Sequence, residues 1–234
     1  MNDFSNPQTR IFTPVIRFLR LSLCLLFLGA FLLIGGCKKE VDYFSYVSEL
    51  RSNVLLCKTD EFSLRIYAVT KENPYAPDGV PRDKTVRTEI YLLSDDTTQE
   101  YYIYFTVNGK EYGGDMSFDN VKAEYYYSCS LDASTLNELT CRIEYGEKKT
   151  ELIANSVRTD DTLSPRQALA QLRSVENALF QSMTDKYGFT GEIHLRLIYE
   201  DNPYYYLGVI DRNGKTTAYL MNAKTGKLLA KREQ

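Results

Sequence analysis

The chain has 234 residues, 44% hydrophobic and 25% charged, with a formal net charge of −3. Those are globular proportions, and the acidic balance argues against a nucleic-acid partner, which needs a basic stripe. One histidine in the whole chain leaves too few ligands for a Cys/His zinc site.

The first segment stands apart. Residues 2–20 are polar and basic, with Arg10, Arg17 and Arg20 against Asp3, and residues 21–34 carry no charge. A basic start, a short apolar run and small residues before a cut describe a secretory signal. The run is shorter than the roughly 20 residues that span a bilayer, which disfavours a retained anchor. Its end, Ile34-Gly35-Gly36-Cys37, resembles the bacterial lipobox. That resemblance implies cleavage between Gly36 and Cys37 and diacylglycerol on the Cys37 sulfur. The mature chain would then be held at the extracytoplasmic face of a cell membrane by its lipid, each buried methylene contributing about 0.8 kcal/mol. Removing residues 1–36 takes away three arginines and one aspartate and leaves a mature charge of −5.

Residues 37–44 read as a lipid-anchored tether, and 40–53 as tether with a short helical turn. From Val54 onward the pattern has period two. Phe62, Leu64, Ile66 and Ala68 alternate with polar or amphipathic neighbours, and Thr88, Ile90 and Leu92 continue it. Residues 73–83, with three prolines and a glycine, form a long loop between strands. Residues 101–107 are strand-like in composition. Asn108-Gly109 then predicts a hairpin into 110–118, because both turn residues must tolerate φ > 0. Further strands are expected over 121–131, 139–145 and 149–157. Strands at this spacing predict an antiparallel, immunoglobulin-like β-sandwich over residues 45–157.

A polar linker follows at Asp160-Asp161-Thr162. Ser164-Pro165-Arg166-Gln167 opens a helix: serine caps, proline suits the first turn, and glutamine reaches back. Leu169, Leu172, Val175, Leu179 and Met183 predict its buried stripe, ending near Tyr187-Gly188. Strands are expected over 193–199, 204–210 and 216–221, with Asn213-Gly214 as a hairpin turn and a short last strand over 227–230. This gives a small C-terminal α+β domain, 160–234, with one helix on an antiparallel sheet. The whole is mainly β.

The stretch 164–229 resembles a PepSY domain. Ala168, Leu169 and Leu172 match its helix, and Asn222-Ala223-Lys224-Thr225-Gly226-Lys227-Leu228 its closing Thr-Gly turn. PepSY domains are extracytoplasmic modules, some of them in protease propeptides. The resemblance implies a binding or regulatory module and transfers no catalytic residue.

Chemistry-bearing residues are few. His194 is expected on the solvated face between Glu192 and Arg196, and no G-x-S-x-G elbow accompanies it. Neighbouring acids at Asp95-Asp96, Asp160-Asp161 and Glu200-Asp201 read as turn formers. Cys57, Cys129 and Cys141 remain in the mature chain. One disulfide is allowed outside the cell, and Cys129–Cys141 is the expected pair, because the short loop between them suits adjacent strands. Nineteen tyrosines are the unusual feature. In the clusters 101–104, 125–127 and 204–206 alternation must turn some rings outward, and Tyr102, Tyr126 and Tyr205 are the candidate ligand-contact aromatics. No cofactor or metal motif is present. The expectation is a noncatalytic surface lipoprotein that binds a protein or envelope polymer. The alternative is a regulator or inhibitor of an envelope protease; an envelope hydrolase ranks last.

Overall fold

A computed structural model describes residues 41–76 and 78–233. The expected signal segment, and Gly36 and Cys37 where cleavage and lipidation are expected, lie outside the described residues. Residues 41–234 form one compact unit.

The unit is mainly β and is organised around one strand. A 3-10 turn, Tyr43–Tyr46, is capped by Asp42, whose carboxylate accepts the Phe44 N–H at 3.2 Å. It leads directly into β1, Val47–Lys58. The strand therefore starts seven residues before the Val54 at which alternation becomes legible. Its first half pairs with a strand some 140 residues later, so no local pattern announces it.

β2 (Phe62–Glu72) and β3 (Lys84–Ser94) run antiparallel to one another along their whole length. β4 (Tyr102–Val107) and β5 (Lys110–Asp115) form the expected hairpin. Asn108 and Gly109 both have positive φ, 51° and 77°, as its tight turn requires. The strand expected over 121–131 is shorter: β6 (Ser117–Asp119) turns through 120–123 into β7 (Glu124–Cys129). β8 (Glu138–Tyr145) and β9 (Lys148–Ser156) form another hairpin.

The expected long helix is two. α1, Pro165–Val175, has the full capping box: the Gln167 N–H donates to Ser164 Oγ at 3.3 Å and the Ser164 N–H to Gln167 Oε1 at 2.8 Å. The chain breaks at Glu176 and restarts as α2, Asn177–Ser182. The break shifts the helical phase. Val175 is 57% exposed, and Phe180, which the stripe omitted, is fully buried. Thr184 Oγ1 and the Thr190 N–H take up the carbonyls of Phe180 and Met183. Gly188 is no helix cap. It lies in the small hairpin of β10 (Thr184–Asp185) and β11 (Gly188–Phe189), where a Cβ would stand 2.4 Å from Tyr46 Oη.

β12 (Glu192–Tyr199), β13 (Pro203–Ile210), β14 (Thr216–Asn222) and β15 (Leu228–Glu233) complete a meander. The large sheet has the order β15-β14-β13-β12-β1-β2-β3-β7-β6, and β9, β8, β4 and β5 branch from β1. β1 switches neighbours along its length. Val47 to Arg51 pair parallel with β12, whereas Leu55 and Leu56 pair antiparallel with β9. The switch coincides with a bulge between Arg51 and Asn53, which re-aims a strand where its pairing changes. Hydrogen bonding thus runs unbroken past residues 157–160.

Two cores form on this frame. One holds Leu55, Leu64, Ile66, Ile90, Leu92, Ile103 and Ile143, between the β2-β3-β7 strands and the β9-β8-β4 branch. The other holds Leu169, Leu172 and Phe180 of the helices against Ile193, Leu195, Leu207 and Tyr219. Asn53, 1% exposed, stands between them. Its Nδ2 donates to the carbonyls of Ala133 and Leu136, and its Oδ1 accepts from the Val54 N–H and Ser156 Oγ.

Candidate ligand-binding site

A cavity of about 470 Å³ opens where three connections meet: β1–β2, β3–β4 and β8–β9. Antiparallel topology brings these turns to one end of the strands. The floor is aromatic. Tyr101 packs edge-on to Tyr125 at 4.6 Å, and Phe62 and Tyr145 lie within 6 Å of it. Burial pushes the Tyr101 hydroxyl up from its ordinary pKa. It donates to the Asp96 carbonyl at 3.0 Å and sits 2.8 Å from Ser94 Oγ, while Tyr125 donates to the Gln99 carbonyl. These bonds hold the 95–101 loop against the floor.

The rim is acidic. Asp60, Glu61, Asp95, Asp96 and Glu147 line it against one cation, Lys148. Glu61 accepts the Tyr145 hydroxyl at 3.1 Å. Hydrogen bonds from the Thr98 side chain and backbone hold the Asp96 carboxyl below its usual range. The Lys148 ammonium lies 5.7 Å from the Tyr145 ring centroid, so one cation already rests on that ring face. Among the described residues no three His, Cys, Asp or Glu side chains are grouped to hold a metal ion. The negative charge is spread round the rim rather than focused on a point. Such a cup suits a large, diffuse cation such as an ammonium or guanidinium group.

None of the expected tyrosines lies in this cup, and they do not come together. Tyr102 is 36% exposed on β4 and hydrogen-bonds Glu100. Tyr126 is half-buried on β7, its ring 5.1 Å from Tyr91. Tyr205 cannot meet a ligand: it is fully buried in the helix-covered core, and its hydroxyl donates to the Leu163 carbonyl at 2.7 Å. Of the cup residues, Glu61 drew no attention in the sequence, Tyr145 read only as a strand end, Glu147 as part of the turn at 146–148, and Asp95-Asp96 as turn acids. The usable signal was parity: with the expected strand 110–118 counted once, since β5 and β6 run in the same direction, the three connections are the first, third and seventh and fall at one end.

The expected Cys129–Cys141 disulfide is not formed, and Cys57, Cys129 and Cys141 are all free thiols. Cys129 lies opposite Thr88 on β7, and Cys141 opposite Leu152 on β8. These strands do not pair, because the short connection between them crosses from one branch of the sheet to the other. Burial pushes the Cys141 thiol up to about 12, with the nearby Cys57 adding to the effect.

His194 does lie between Glu192 and Arg196, but that face is partly covered. The 73–83 loop folds over it, with the Tyr75 ring 6.4 Å from His194 and the Tyr75 hydroxyl donating to Glu192 Oε1 at 2.7 Å. Gly79 lets the loop approach β12, since a Cβ there would stand 2.8 Å from the Thr190 carbonyl oxygen. Burial lowers the His194 pKa, partly offset by Glu49. Beside it Arg196 forks onto both Glu49 carboxylate oxygens at 2.8 and 2.7 Å.

Comparison with known proteins finds no matching family, no matching curated protein and no matching solved structure.

Proposed function

We infer that this chain is a noncatalytic lipoprotein, anchored through Cys37 at the extracytoplasmic face, that binds a protein or envelope polymer carrying cationic groups. The observation that carries it is the acidic, aromatic-floored cup and its placement. β1 begins six residues after the first described residue, Val41, and the chain leaving its far end delivers Asp60 and Glu61 to the cup rim. From Val47 to Lys58, at about 3.3 Å per residue, the strand spans about 36 Å. On this reading the cup, at the far end of β1 from Val47, is the end presented to a partner. On this reading residues 45–157 act as an immunoglobulin-like sandwich that presents its end loops, as such sandwiches commonly do.

Two measurements test it. Mass spectrometry of the native amino-terminal peptide is expected to find Cys37 acylated and residues 1–36 gone; an unmodified Cys37 overturns the anchorage. Lysine-rich peptide is expected to bind in a salt-sensitive way, and Asp95→Asn with Glu147→Gln to weaken it at least about tenfold. Binding that ignores both substitutions overturns the role of the cup.

A second reading rests on a separate feature. β15 pairs only with β14 and closes the sheet order, so its outer edge has no strand partner among the described residues. With a capped helix packed on the meander, residues 160–234 would act as the PepSY-like regulator, taking an extended segment of an envelope protease by strand addition.

A further inference from the structure

Two more concavities flank the segment that leaves β9. One, about 390 Å³, has an apolar base of Leu56, Val157 and Pro203 and a wall that includes Tyr199, Asn155, Asp201 and Asn202. The other, about 350 Å³, is hydroxyl-rich, with Ser134, Thr135, Thr159 and Thr162 around Arg158 and Asp160. Ser156 and Thr159 line both. We propose that the adjoining pair is a binding site for a neutral glycan, an uncharged chain of pyranose sugars.

The chemistry of a pyranose ring sets the requirements. Its C–H face is apolar and packs on an aromatic ring, and its rim of hydroxyls needs groups that donate and accept in pairs. Tyr199 is 40% exposed at the end of β12, which gives the first concavity an accessible ring above an apolar base. Asn155, Asn202 and Asp201 stand round it with amide and carboxylate groups for the hydroxyls.

The second concavity has unspent donors. The Arg158 guanidinium makes one long bond, Nη1 to the Ser134 carbonyl at 3.4 Å, and its buried Nε has no acceptor. An under-satisfied guanidinium can swing to a sugar oxygen. Charge argues against a polyanion. Lys224 is engaged with Asp161 at 3.1 Å, and the linings also carry an acid each, Asp201 in the first and Asp160 beside Arg158 in the second. The walls are also pre-set. Three hydrogen bonds of Asn53 fix the 133–137 loop and Ser156 to β1 without any ligand, which lowers the ordering cost of binding. Two subsites sharing a wall favour a chain over a single sugar.

This inference is independent of the cup. Titration calorimetry would use the full lipoprotein in a detergent without a sugar headgroup. The probes are cello-, malto- and chito-oligosaccharides, with glucose and dextran sulfate for comparison. At least one oligosaccharide is expected to bind, more tightly than glucose or dextran sulfate. Tyr199→Ala and Arg158→Ala are each expected to weaken it at least about tenfold, and Asp95→Asn in the cup to leave it unchanged. Circular dichroism of each variant checks that the fold survives. The proposal is overturned if none of the three binds at about millimolar concentration, if both variants bind as the parent does, or if dextran sulfate binds best.

Discussion

Asn53 carries an unusual share of the structure for one side chain. Its amide bridges β1, the 133–137 loop and the end of β9, and truncation strands two carbonyls and a hydroxyl in the interior. Asn53→Ala is expected to cost about 2–4 kcal/mol, read as a lower urea midpoint at unchanged slope. Nothing in the sequence marked it, because its partners lie 80 and more residues away. The tyrosine clusters were legible only in part. Alternation required that neighbouring rings diverge, but not which parity faced a core, so Tyr205 went inside. The cysteines failed for a related reason, since sequence spacing cannot show a connection that changes branch. Thiol titration of the unfolded chain is expected to find Cys57, Cys129 and Cys141 all reactive, and Cys141 closed to alkylation in the native state.

Two titrating residues on the covered part of the sheet give stability a defined pH dependence. His194 has a depressed folded pKa, mainly through burial. Below its ordinary value near 6.5 the unfolded chain takes up a proton that the native chain does not, so stability falls as pH drops from there to the folded pKa. Burial works against the Glu49 carboxylate, but Arg196 and then Lys71 outweigh it and hold its pKa below the usual value. That contribution is complete above the unfolded carboxylate pKa and disappears as pH falls through the folded one. Urea midpoints measured between about pH 7 and pH 5 are expected to fall in the parent and stay flat in His194→Gln. Arg196→Met is expected to cost about 1 kcal/mol near neutrality, with the deficit shrinking in acid.

At the scale of elements, local chemistry was legible wherever the signal was local. The Ser164 capping box and the Asn108-Gly109 turn stand as their residues dictate. Ser164→Ala is expected to lower stability by about 1 kcal/mol, measured in the same urea experiment. The helix break at Glu176 was not legible, since no glycine or proline marks it and the apolar spacing continues through it. The first half of β1 was invisible for a different reason. It lies against a parallel partner recruited from the far end of the chain, which imposes no local period.

For the whole molecule, β1 is the member that both cores share. Val47 and Val54 contribute to the helix-covered core, and Leu55, one residue further on, to the other. A chain ending near residue 159 would lose β12 and leave Val47, Leu50 and Val54 uncovered. We expect a single unfolding transition in calorimetry for residues 41–234, and aggregation or partial unfolding of a fragment that stops there.

The run of β1 also sets how the protein would bear load. A pull applied between the start of β1 and the cup at its end would travel lengthwise along that strand. The ladders to β2 and β12 would then be strained in shear, where many bonds must yield together, instead of being unzipped one by one. The same strand that organises folding would serve as the tendon of the molecule.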